Sequence, residues 1–215
     1  MKTCSRVSKA YQKLAIALLS AAAFGNIGRG DTPAPEYSYV ATSWSGMCYF
    51  IMIQPSSLDG SQVDAGSKGC GIAYRLLSDG ASKELWRTAG WYSPWVFLSE
   101  DGHYLVRMGA WHEGQELSQK DLAVAFYRDG VLLKEFSTAD LVKDQTKIVK
   151  SVSHYKWLAV DVERSHRIFG EAKISEVVKP ALSLDGTFRL ETCDGIIYTF
   201  DATTGEIRNQ KKGGA

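Results

Sequence analysis

The sequence lacks any apolar run long enough to cross a bilayer as a helix, which takes about 20 residues; its longest near the N-terminus, Leu14 to Phe24, stops well short. It also lacks a surplus of one charge, with 25 Lys and Arg against 24 Asp and Glu. Nucleic acids and anionic membranes are held by clustered cations, so neither is expected as a partner. No Gly-x-Ser-x-Gly, no His-Glu-x-x-His and no Ser-x-x-Lys ahead of a helix is present, which removes the common nucleophile and zinc-protease signatures. The Asp-Gly pairs lack the Asp-x-Asp-x-Asp-Gly ladder of a calcium loop. The stretch 56–69, polar and glycine-rich, has no phosphate-loop pattern. No cofactor is therefore expected.

Acidic residues are missing from the first thirty positions, where Lys2, Arg6, Lys9 and Lys13 precede the apolar stretch and the small residues Ala21 to Ala23. A basic region, a short apolar region and small residues make a secretory signal. Residues 1–25 are read as that signal, cleaved after Ala23 or Gly25, and residues 26–38 as a flexible leader. The protein is thus expected to be exported, periplasmic or extracellular. Removing the signal takes four basic residues and no acidic one, leaving a net charge of about −3. What remains is long enough for one domain with a substantial core. That domain is placed at 39–208, with 209–215 as a disordered tail.

Cysteine is scarce: Cys4 leaves with the signal, and Cys48, Cys70 and Cys193 lack the spacing of zinc ligands. In an oxidising compartment Cys48 and Cys70 are the candidates for a disulfide, with Cys193 a buried thiol. The alternative is that all three are small core residues.

What the chain does have is hairpins. Six Asp-Gly pairs punctuate it, and apolar residues alternate on both sides of several. Val96 and Leu98 precede Asp101-Gly102, and Tyr104, Val106 and Met108 follow it. Leu122, Val124 and Phe126 precede Asp129-Gly130, and Val131 and Leu133 follow. Ile72, Tyr74 and Leu76 lead into Ser78-Asp79-Gly80. Period two around Asp-Gly marks antiparallel strands joined by tight turns, because Gly supplies positive φ without steric cost. The fold class is all-β, an antiparallel meander. Trp44 to Pro55 reads as a strand buried on both faces. Ser137 with Asp140 three residues on forms a capping box for one or two helical turns, and 171–179, closed by Pro180, reads as a second short helix, although Ile174, Val177 and Val178 also suit a strand.

Two pairs of segments share a plan. "VFLSEDGHYLVRM" with "LAVAFYRDGVLLKEF", and "ALSLDGTFRLETCDG" with "IIYTFDATTGEIRN", each run from an apolar strand through Ser-x-Asp-Gly to further hairpin strands. This resembles the blade repeats of β-propeller proteins, quinoprotein-like and WD-type, in two or three divergent copies. The resemblance implies propeller-blade-like sheets, with a partial barrel or sandwich as the alternative. It implies no particular activity, since propeller blades host unrelated functions.

Two polar stretches and one aromatic stretch are the candidate sites. "AWHEGQE" carries Trp111, His112 and Glu113 between two strands, where loops present binding residues; His112 and Glu113 with His154 are candidate acid-base or metal-binding groups. A solvated His112 and a Trp111 that plugs the core edge are the simpler account. Asp161, Glu163 and His166 form a similar candidate beside Arg164 and Arg167, which favour a salt-bridged edge. "WRTAGWYSPW" gathers Trp86, Trp91, Tyr92 and Trp95, either to close the end of the core or to stack on a ligand. The resulting expectation is a binding or scaffold protein, not an enzyme. Its contact rim is Trp91, Trp95, Trp111, His112 and Glu113, and its ligand is a protein or a carbohydrate. A hydrolase centred on His112, Glu113 and His154 is the alternative, and an edge strand offered to a partner near 47–53 or at the C-terminal hairpin is a third.

Overall fold

A computed structural model of the chain describes residues 36–55, 68–109, 112–160 and 177–213. They form three four-stranded antiparallel sheets, each a simple meander in which every strand pairs with the next. Sheet 1 holds β1 (Tyr39–Thr42), β2 (Cys48–Ile53), β3 (Cys70–Leu76) and β4 (Ser82–Ala89). Sheet 2 holds β5 (Val96–Leu98), β6 (Tyr104–Met108), β7 (Leu122–Arg128) and β8 (Val131–Ser137). A two-stranded ribbon, β9 (Val149–Lys150) with β10 (Tyr155–Lys156), precedes sheet 3, which holds β11 (Ala181–Leu182), β12 (Thr187–Glu191), β13 (Ile196–Asp201) and β14 (Ile207–Lys212). The chain is all-β, and its sheets are blade-like.

One turn joins the first two strands of every sheet. In Ser99-Glu100-Asp101-Gly102 the Gly102 N–H donates to the Ser99 carbonyl at 3.0 Å, and Asp101 Oδ1 accepts from the His103 N–H at 3.1 Å. Gly102 has φ 76°, which is why Gly follows Asp. Ser183-Leu184-Asp185-Gly186 repeats the arrangement, with Gly186 N–H to the Ser183 carbonyl at 3.1 Å and Thr187 N–H to Asp185 Oδ1 at 3.0 Å. Ser43-Trp44-Ser45-Gly46 does the same with a serine in the aspartate's place: Ser45 Oγ accepts from the Met47 N–H at 3.2 Å.

Sheet 2 lies between the other two, and β7 shows it most clearly. Ala123 to Tyr127 are all buried, because successive side chains leave a strand on opposite faces and each face here meets another sheet. Val124 and Phe126 join Val106 and Met108 against Phe188, Leu190, Tyr198 and Phe200 of sheet 3. Ala125 and Tyr127 join Leu105 against Cys48, Phe50, Met52, Ala73 and Trp86 of sheet 1. Phe126 sits 5.2 Å from Phe200 and 6.1 Å from Phe188, ring to ring, and aromatic pairs in such geometries add about 1 kcal/mol beyond the area they bury. The Trp86 indole N–H donates to the Gly102 carbonyl at 2.7 Å and ties sheet 1 to sheet 2.

Three expectations need correction. The run 44–55 is not a strand buried on both faces: residues 44–47 form the turn, and β2 alternates buried and half-buried positions because only one of its faces meets another sheet. Cys48 and Cys70 are not bridged. Cys48 pairs with Arg75 and Cys70 with Ile53, at opposite ends of the β2–β3 ladder and about 17 Å apart at 3.3 Å per residue, far beyond disulfide reach. The C-terminal segment does not end its order at 208, because Asn209 to Lys212 continue β14 opposite Thr199 to Ile196. The capping box forms as expected, with Ser137 Oγ accepting from the Asp140 N–H at 3.1 Å and starting helix α1 (Thr138–Leu141). Most of the second helical candidate, 171–176, lies outside the described residues, as do the signal and most of the leader.

Candidate functional site

The first strands of the three sheets, β1, β5 and β11, edge a common groove of about 780 Å³ whose walls include Tyr37, Val40, Trp44, Trp95 and Leu182. A second depression of about 690 Å³ shares Trp44, Ala181 and Leu182 with it and continues past Lys179, Leu184 and Arg189. Pairing within each sheet dictates what these edges offer. The Ser43 N–H bonds to the Cys48 carbonyl, the Ser99 N–H to the Tyr104 carbonyl and the Ser183 N–H to the Thr187 carbonyl. Antiparallel ladders alternate bonded and non-bonded pairs, so Val40, Thr42, Val96, Leu98 and Leu182 turn their N–H and C=O groups away from the second strand, toward the groove.

Trp44 is 88% exposed at the mouth of this groove, whereas Trp86 and Trp91 are buried. It stands at the second position of the Ser-x-Ser-Gly turn, where Glu100 and Leu184 stand in the other two sheets. Leu184 is itself 69% exposed. Glu100 Oε2 accepts from the Ser45 N–H at 3.2 Å, which couples two neighbouring turns; the hydrogen bonds from Ser45 hold its carboxyl below the usual carboxylate range. Behind the groove the Tyr39 hydroxyl donates to the Ser93 carbonyl at 2.8 Å, and burial raises its pKa well above that of an ordinary phenol. That bond fastens β1 to the link between sheets 1 and 2.

The residues expected to form a rim separate into three environments. Trp91 is packed in the core between sheets 1 and 2, 5.4 Å from the Tyr127 ring, with the Arg107 guanidinium 4.6 Å above it. Trp95 is half-buried and lines the groove. Trp111 lies outside the described residues. His112 is buried, and Glu113 is exposed.

The backbones carrying Glu113 and His154 are paired, and the His112 ring lies on Tyr155. Glu113 and His154 form an antiparallel bridge, the Gly114 N–H donates to the Ser153 carbonyl at 2.8 Å, and Ser151 Oγ bonds His154 Nδ1. His112 stacks on Tyr155 with ring centroids 5.5 Å apart. The Tyr155 hydroxyl donates to Asp121 Oδ2 at 2.7 Å and shares a hydrogen bond of 2.7 Å with Thr138 Oγ1. Burial pushes the His112 imidazole below its ordinary value, although Asp121 and the Leu122 carbonyl pull the other way, and its Nε2 is buried without a partner among the described residues. Chemically this cluster fastens the 112–121 segment onto α1 and β10. Among the described residues no three His, Cys, Asp or Glu side chains gather as a metal site would require. Asp161, Glu163 and His166 lie outside the described residues. No described helix is long and apolar enough to cross a membrane.

No protein-family model matches the sequence, and no curated protein is significantly similar to it. Among solved structures, the chain is similar to a protein from Bacteroides fragilis assigned as a 6-phosphogluconolactonase, at 15% identity and a TM-score of 0.35. The match covers 86% of this chain and 40% of that one. A likeness at that level transfers no activity.

Sequence reasoning missed Trp44 because it was read as part of a strand. The signal was present: Ser43-Trp44-Ser45-Gly46 has the frame of Ser99-x-Asp-Gly and Ser183-x-Asp-Gly, and that frame puts its second residue at the tip of a turn.

Proposed function

We propose that the chain is an exported binding or scaffold protein whose contact surface is the groove edged by β1, β5 and β11, with Trp44 as its anchor. The exposure of Trp44 carries this reading. A large aromatic side chain held in water at the lip of an apolar groove supplies contact area on association and no core packing. Clefts between structural units are the usual place for ligands. The basic, then apolar, then small-residue order of the first 25 positions supports export. The recurring turn at the head of each sheet supports a propeller-type arc of blades, with the first strands lining its inside as the strands nearest a propeller's central channel would.

The test is residue-resolved chemical-shift mapping with panels of short peptides and oligosaccharides. The expected perturbations cluster at Trp44, Tyr37, Val40 and Leu182. A ligand that perturbs the surroundings of His112 and leaves the groove untouched would sink the proposal.

A further inference from the structure

We infer that the groove is shaped for an extended, acidic peptide segment; this rests on the binding role proposed for the groove and names its ligand. Three observations converge. The first is charge. Lys179 and Arg189 are exposed beside Trp44 and Leu184, and neither has an ion-pair partner among the described residues. Asp185, the one carboxylate among the described residues of the lining, is committed to its own turn through Ser183 Oγ at 2.6 Å and the Thr187 N–H. Glu191, on the same face of β12, accepts from the Val178 N–H at 2.8 Å. Two unpaired cations next to an apolar wall favour a partner carrying carboxylates between apolar side chains.

The second observation is backbone. The outward N–H and C=O groups of Val40, Thr42 and Leu182 have no strand partner among the described residues, and an extended chain satisfies such groups by adding as a strand. The third is the lining itself. Apart from Lys179, Asp185 and Arg189 it is made of aliphatic and aromatic residues with a few hydroxyls, and it contains no Asn, Gln, His or Glu among the described residues. Sugar hydroxyls are bound by planar polar side chains, of which this wall offers two, Arg189 and Asp185, the latter engaged in its own turn. Alternating apolar and acidic side chains of an extended peptide match it: one set enters the groove beside Trp44, and the other meets Lys179 and Arg189.

The experiment uses a fluorescent short peptide of alternating valine and glutamate, its lysine-for-glutamate counterpart, and oligogalacturonate, each titrated into the protein by anisotropy at low and high salt. The valine-glutamate peptide is expected to bind and to weaken as salt screens the cations. Lys179→Glu combined with Arg189→Glu, both at exposed positions, is expected to weaken that binding on the order of tenfold and to favour the lysine peptide. Trp44→Ala is expected to weaken both peptides. Binding that depends on Trp44 but ignores the charge reversal, or a preference for oligogalacturonate, overturns the acidic-peptide inference and leaves the groove reading intact. Binding indifferent to Trp44→Ala overturns the groove reading itself. No binding by any of the three probes overturns the inference.

Discussion

The ring of Phe50 lies directly over Gly71 on the neighbouring strand, so that a Cβ built at Gly71 would sit 1.9 Å from Phe50 Cζ. Phe50 is fully buried between Trp86 and Trp91, with centroids 5.5 and 6.2 Å away, and has no room to retreat. Gly71 is therefore a packing requirement of the core between sheets 1 and 2. Gly71→Ala is expected to destabilise the domain by about 1–3 kcal/mol, the usual cost of overpacking a dense core. Urea unfolding measures it, and a midpoint equal to wild type would contradict the packing described.

His112 makes stability depend on pH in one direction. Burial lowers its folded-state value below the ordinary 6.5, so the unfolded chain takes up a proton more readily than the folded one. Its contribution is fully present above that ordinary value and is lost as pH falls from there toward the folded value. His112→Phe keeps a ring to stack on Tyr155 and removes the titration. Stability measured from about pH 7 to pH 5 should fall more steeply for wild type than for the variant; parallel profiles would contradict the burial of His112.

Cys48, Cys70 and Cys193 are expected to behave as separate thiols. Burial and the neighbouring Asp194 push the Cys193 thiol up to about 11, and Cys48 is buried against Gly102. Thiolate is the reactive form, so alkylation of Cys193 in the folded protein should be slow at neutral pH. After denaturation without reductant, Cys48, Cys70 and Cys193 should all alkylate. A Cys48–Cys70 crosslinked peptide in the mass spectrum would refute the β2–β3 register.

Ser137 closes β8 and opens α1. Its hydroxyl accepts the Asp140 N–H, and the Asp140 carboxylate accepts the Ser137 N–H at 2.8 Å. That return bond is the chief reason the Asp140 carboxyl is held below its ordinary value. Ser137→Ala is expected to cost about 1 kcal/mol, read from denaturant midpoints, whereas Ser137→Asp, which restores a cap, should recover most of it.

Much of this architecture was legible in the residues themselves. Alternation around Asp101-Gly102 and Asp129-Gly130 gives β5 through β8, since the period of two and the positive φ at glycine are local properties. The same reasoning finds the Ser137 cap. What period two does not tell is which partner each face meets. The "LAVAFYR" of β7 and the "CYFIMI" of β2 look equally apolar, yet only β7 lies between two sheets. Trp91 and Trp44 sit in similarly aromatic surroundings along the chain; the inward route of the 90–95 link buries one, and the tip of a turn exposes the other. The pairing of Glu113 with His154 spans a separation no local pattern encodes.

Residue-resolved amide hydrogen exchange probes the three-sheet arrangement and its groove together. The N–H groups of Ala123 to Tyr127 in the middle sheet should be among the slowest, and along β1 the Val40 and Thr42 amides, facing the groove, should exchange much faster than that of Ala41, which bonds to β2. Equal protection at Val40, Ala41 and Thr42, or a β7 as fast as the edge strand β14, would contradict the account.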